Sequence, residues 1–177
     1  LYLALLAAAV LCDWLLHLAG LVAVGRYFGI AGTALLLLSF VYSLRKWRWI
    51  TVGAPKTLLA GHEVLGWVSA LMLLVHAGIH LNAAVPWLAV AAMLAVVASG
   101  LTGKFLLARA RADLAGREAE LKAQGLPPKQ IDRELLAQSV LVSAMKNWRK
   151  VHMPLTMVFV GLALLHVTST LLLWGWR

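Results

Sequence analysis

Long apolar runs alternate with short polar or glycine- and proline-marked breaks along this chain, and one charged segment interrupts the alternation. The runs predict helices near 2–23, 27–44, 58–81, 86–107 and 150–174. Each is about as long as the ~20 residues that cross the ~30 Å hydrocarbon core of a bilayer. Asp13, Trp14 and His17 interrupt the first run, and the four-residue step from Asp13 to His17 puts both on one face. The second run opens with Gly25, Gly29 and Gly32, small residues at a helical spacing that permits close helix approach. The fourth has Pro86 near its start, where proline is tolerated, and ends with Gly100 and Gly103.

The segment 108–147 is rich in Arg, Glu, Lys and Gln and is broken by Gly125-Leu126-Pro127-Pro128. It predicts a helical hairpin. One helix extends the fourth run and stops at Gly125; a second starts at the prolines and carries an apolar stripe of Leu135, Leu136, Val140, Leu141 and Met145. A stripe that wide has to cover something apolar. Two uses fit it: a solvated hairpin against the membrane surface, or a platform for a cytoplasmic partner. The predicted fold is an all-α integral membrane bundle of about five transmembrane helices, one domain over 1–177, with this hairpin between the fourth and fifth.

Composition fixes the environment. Hydrophobic residues make up 62% of the 177 and charged residues 13%, with a mean hydropathy of +0.85, a membrane-protein profile. One such domain leaves no room for a nucleotide-binding module. The first apolar stretch lacks a basic leader and is too long for a cleavable signal peptide, so it is expected to be a span. A single cysteine, Cys12, excludes a disulfide framework, a CxxCH heme attachment and a cysteine-held iron–sulfur cluster within these residues.

The net charge of +9 suggests nucleic acid until its distribution is read. Arg45, Lys46, Arg48 and Lys56 fall between the second and third spans, and ten more basic residues, from Lys104 to Lys150, fall at or between the fourth and fifth. Fourteen of sixteen thus share one side, leaving Arg26 and Arg177 on the other. The positive-inside rule makes the crowded side cytoplasmic, with the N-terminus inside and the C-terminus external or periplasmic in a cell inner membrane. The charge reports topology; no nucleic-acid partner is implied. Trp47, Trp49, Trp148, Trp174 and Trp176 are expected to form interfacial belts.

The third and fifth runs each carry two histidines fourteen residues apart: His62 with His76, and His152 with His166. Fourteen residues are almost four turns, so each pair lies on one face, separated by roughly 21 Å of rise. With one crossing between them the two helices run parallel, and the levels match: His62 with His152 at the inner end, His76 with His166 at the outer end. Ionisable groups inside a bilayer are costly and rarely accidental. Two imidazoles at each level supply the axial ligands of two six-coordinate b-type hemes, a state suited to electron transfer. Gly61, Gly66 and Gly161 would permit close approach of a flat macrocycle, and Arg149, Lys150, Arg45 and Lys46 would neutralise inner propionates. Arg177 or His80 would serve the outer ones. Three further positions, Asp13, His17 and His80, are candidates for quinone binding or proton handling. The bland readings are a polar pair satisfied by a neighbouring helix for Asp13 and His17, an interfacial cap for His80, and a solvated Glu63.

The segments GHEVLGWVSALMLLVHAGIHL (61–81) and WRKVHMPLTMVFVGLALLHVTS (148–169) resemble the paired heme helices of the membrane di-heme cytochromes b. The spacing of fourteen in both helices is similar to cytochrome b of the quinol–cytochrome c reductases. Two helices before the first pair and one between the pairs, with GRYFG at 25–29, resemble the ferric-reductase-like transmembrane domain. The chain departs from both: it carries no flavin and nicotinamide module, its hairpin 108–147 is longer, and it has no PEWY-type segment.

The resemblance implies a di-heme electron-transfer subunit of an oxidoreductase complex, with a cytoplasmic flavin or iron–sulfur protein, a quinone, or both as partners, and other subunits beside it. Three rivals accompany that reading. They are a quinol-oxidising or quinone-reducing respiratory subunit, a heme-free membrane anchor, and a proton-relay transporter.

Overall fold

The computed structural model describes residues 2–78 and 84–174, without the side chains of Arg149 and Trp174. His80 and Arg177 lie outside the described residues, and so does the side chain of Arg149. Every element among the described residues is helical. Helix α1 spans Tyr2–Leu18, α2 Val22–Ser39, α3 Val41–Lys46, α4 Pro55–Ala77, α5 Ala84–Leu101, α6 Leu107–Ala123, α7 Pro128–Glu134, α8 Leu136–Lys146 and α9 Trp148–Ser169. Short π-helical turns, Thr102–Leu106 and Thr170–Trp174, follow α5 and α9.

Among the described residues, four helical runs are long and apolar enough to cross a membrane: Val22–Lys46, Pro55–Ala77, Ala84–Ala123 and Leu136–Leu173. The first predicted span is shorter than expected. Helix α1 stops after 17 residues, because Gly20 takes a left-handed φ of 68° and turns the chain directly into α2. The second helix accordingly begins at Val22 rather than near 27.

The hairpin follows the predicted punctuation and departs from it in one place. Gly125, at φ 74°, ends α6, and Pro128 is the first residue of α7. The downstream helix then breaks at Leu135 into α7 and α8 instead of running on as one. Helices α6 and α8 pack on each other, and Leu107, Ile131, Leu135 and Val142 are buried. The expected stripe is therefore divided: Leu135 turns inward, while Leu136, Val140 and Leu141 stay exposed.

Packing among the apolar helices falls into two tight pairs, α2 with α4 and α5 with α9. Gly32 makes the first pair possible, since a Cβ there would lie 3.1 Å from Leu73 and 3.2 Å from Met72. The pairs meet at mid-length around Leu5, Ala70, Met93 and Phe159, contributed by α1, α4, α5 and α9. Large apolar side chains elsewhere point outward, among them Leu3, Leu37, Val64 and Leu164. Such a surface is stable where lipid replaces water.

Candidate heme-binding site

Helices α4 and α9 carry the four histidines, and they face each other without the tight packing of the α2–α4 and α5–α9 pairs. Near the C-terminal ends of α4 and α9 the imidazoles of His76 and His166 have ring centroids 6.5 Å apart at 52°. An iron held by two imidazoles needs ~2 Å for each metal–nitrogen bond and ~1 Å from each nitrogen to its ring centre, a centroid separation of ~6 Å. The observed gap fits one metal between the two rings. At the inner end His62 and His152 lie within electrostatic reach of each other. The structure thus sets the rings of His76 and His166 against each other and leaves His62 and His152 within electrostatic reach.

The ring tautomers follow from what each Nδ1 touches. His62 Nδ1 is 3.0 Å from the Ser39 carbonyl, and His76 Nδ1 is 3.0 Å from the Gly25 carbonyl. A carbonyl only accepts, so both Nδ1 atoms carry the proton and donate it. In the neutral ring this leaves the Nε2 lone pair available. His152 Nδ1 lies 2.7 Å from Ser99 Oγ. The Ser99 hydroxyl has one proton and spends it on the Val96 carbonyl at 2.8 Å, so it accepts from His152. Ligand histidines characteristically donate their second N–H to a carbonyl or other acceptor, which fixes the ring and raises its basicity.

These acceptors keep a common register. Gly25 and Ser39 are fourteen residues apart on α2, the same spacing as His76 and His62 on antiparallel α4. Ser39 ends its helix, where carbonyls lose their intrahelical partners. Gly29 clears the space for the outer ring, since a Cβ there would lie 2.7 Å from His76. Sequence reasoning marked Gly25, Gly29 and Gly32 as a close-approach stripe and missed that two of them serve His76. The signal was the shared spacing.

Aromatic rings frame the inner level. Tyr42 lies 5.6 Å from His62, and Trp148 meets His152 edge-on at 5.1 Å. Trp148, expected in an interfacial belt, packs on Gly103, where a Cβ would overlap its ring. Gly103 lies in the π-helical turn, a local widening frequent at functional sites. Glu63 is not simply solvated; it pairs with Lys104 across from α4 to that turn. Pro154 sits inside α9 one half-turn past His152 and removes one rung of its ladder. Open space surrounds Gly61, Gly66 and Gly161, with nothing within 4 Å of the position a Cβ would take.

Asp13 and His17 come together at the outer end of α1. His17 Nδ1 is 2.9 Å from the Asp13 carbonyl and 3.6 Å from its carboxylate. No cluster of three or more His, Cys, Asp or Glu side chains suited to a bare metal ion occurs among the described residues. Two facing imidazoles are the protein donor set that a bis-histidine heme requires. Comparison with protein-family models, curated proteins and solved structures found no match.

Proposed function

We propose that this chain is a di-heme b-type cytochrome of a multi-pass membrane protein, carrying electrons between a cytoplasmic redox partner or quinone and the opposite face. The observation that carries the proposal is the pair of facing imidazoles on α4 and α9, His76 and His166, at metal-bridging separation. His62 and His152, on the same two helices fourteen residues away, supply a second pair of imidazoles within electrostatic reach of each other. In this reading His62, His76, His152 and His166 would hold the hemes through Nε2, and the α2 carbonyls and Ser99 hold the rings of His76, His62 and His152 in register. Bound heme would supply one-electron chemistry.

The chain's own residues account for placement. The mid-length layer of Ala70, Met93 and Phe159 lies between the two levels and keeps water from the path. With ~21 Å of helix rise between levels, the two sites together reach most of the way across a bilayer core. Gly66, in open space on α4, leaves room for a macrocycle edge, and Arg149 belongs to the inner end by its place in the sequence. The proposed topology counts α1 as a fifth span, with the basic hairpin and N-terminus cytoplasmic and the C-terminus external.

A heme-free anchor is the second reading, because His62 and His76 also tie α4 to α2 through their Nδ1 bonds. Purified protein separates the two. A reduced-minus-oxidised spectrum with a b-type α-band and two hemes per chain is expected; full-length protein from heme-replete cells with no Soret absorbance refutes the cytochrome reading.

A further inference from the structure

No Asp or Glu occurs between Asp13 and Glu63, a stretch that carries Arg26, Arg45, Lys46, Arg48 and Lys56. The last four of these cations lie in or beside the loop that joins α3 to α4. Glu63, the first carboxylate after them, is paired with Lys104. Lys46 lies within electrostatic reach of His152. Arg45 donates through Nε to the Gly53 carbonyl at 3.4 Å and so ties the two ends of the loop together. Arg48 and Lys56 each stand three residues from one end of that bond. Neither has an ion pair among the described residues.

Arg48 is also the one non-glycine residue with a left-handed backbone among the described residues, at φ 63°. Its N–H bonds to the Arg45 carbonyl at 3.2 Å, and the Trp49 N–H reaches back to the Leu44 carbonyl at 3.0 Å. This paired closure of a helix end normally places glycine, and sometimes asparagine, at the left-handed position, because a Cβ is strained there. Glycine does occupy the other left-handed positions, 20, 53, 78 and 125. An arginine at such a place points to a use for its side chain. The turn also brings the rings of Trp47 and Trp49, the residues on either side of Arg48, to 5.6 Å from each other.

The depth of the loop narrows the choice of anion. The run Val22–Lys46 is 25 residues long, a rise of ~37 Å against a hydrocarbon core of ~30 Å. The loop therefore emerges in the headgroup layer. Trp47, Trp49 and Val52 are exposed beside the cations. An acidic protein arriving from water would leave those apolar groups wet, whereas the headgroup layer accommodates indoles and cations together.

We propose that Arg48 and Lys56, framed by Trp47 and Trp49, form a site for the phosphate of an anionic phospholipid. The site rests on the membrane reading and does not need the hemes.

The test is native mass spectrometry of the full chain in detergent with dioleoylphosphatidylglycerol and dioleoylphosphatidylcholine at equal mole fraction. Preferential retention of one phosphatidylglycerol per chain is expected. Lys56→Gln is expected to weaken it about fivefold, the order for one cation at the headgroup layer. Arg48→Gly is expected to weaken it by at least about that much, yet to raise the thermal midpoint in lipid-free detergent, because glycine suits the turn. Arg48→Lys keeps the charge and is expected to retain most of the preference, and Lys129→Gln, on the hairpin, all of it. Equal retention of the two lipids, wild-type retention by Arg48→Gly, or a lowered midpoint in that variant would overturn the proposal. Equal weakening by Lys129→Gln would reduce it to general charge attraction, and displacement of the lipid by millimolar inorganic phosphate would make it a soluble-anion site; either result overturns it. Loss of heme in Arg48→Gly would assign the guanidinium to a propionate and also overturn it. Phosphatidylglycerol preference in a chain with no Soret band would uphold the lipid site and sink the cytochrome reading, so the two failures are told apart.

Discussion

His76 illustrates how much of one residue's role is set by its neighbours. Its ring is held by a carbonyl on α2, cleared by a glycine on α2, and faced by His166 on α9. His166→Ala is expected to lower heme content from two per chain to one, with loss of the outer spectral component; His152→Ala is expected to remove the inner one. Pyridine hemochrome assays on purified variants read both. Equal loss from both levels in either variant would contradict pairing by depth. Gly29→Ala places a methyl 2.7 Å from the His76 ring. Overpacking of this kind costs ~1–3 kcal/mol, and it is expected to lower outer-heme occupancy even though no ligand has been touched. Potentiometric titration of that variant checks which component falls.

Among the elements, two antiparallel pairs act as ligand helix and support helix. Helix α2 supplies acceptors at Gly25 and Ser39 to His76 and His62 of α4. Helix α5 supplies Ser99 to His152 of α9. What joins the pairs is the thin mid-length layer in which Phe159 is 5% exposed. Phe159→Ala opens a void there and is expected to destabilise the protein by ~3 kcal/mol or more, seen as a lower denaturation midpoint in detergent with both hemes still bound. Lys104 and Glu63 pair at a partly exposed position, with side chains 47% and 28% accessible. Solvent screening holds such a pair to ~1 kcal/mol or less, so Lys104→Ala is expected to shift the midpoint by little. A large drop in the same thermal scan would mean that the pair is shielded by lipid or by heme.

For the whole molecule the testable quantity is orientation. Gly20 turns the chain between α1 and α2, and Gly125 turns it between α6 and α7. On the proposed topology these tips lie on opposite faces. In a Cys12→Ser background, Gly20→Cys is expected to react with an impermeant maleimide added outside intact cells. Gly125→Cys is expected to react only after the membrane is breached. Labelling of both from one side would remove one of α2, α4 and α5 from the count of spans, and labelling of Gly125→Cys alone from outside would reverse the proposed orientation.

The all-helical class, the breaks at Gly125 and Pro128, and the shared helix face of each histidine pair were legible from residue order alone, because each depends on local period or on a spacing measured along one helix. Apolar runs and helical rise are properties of the chain itself. The early end of α1, the division of the stripe at Leu135, the seat of Trp148 on Gly103 and the meeting of Asp13, His17 and His76 around one cavity were not. Apart from the end of α1, set by the backbone turn at Gly20, each is decided by a surface on another helix: Gly103 makes room for an indole 45 residues away, and Gly25 presents a carbonyl to a ring 51 residues away. Periodicity says which face a residue occupies, while packing alone decides what stands opposite that face and at what distance.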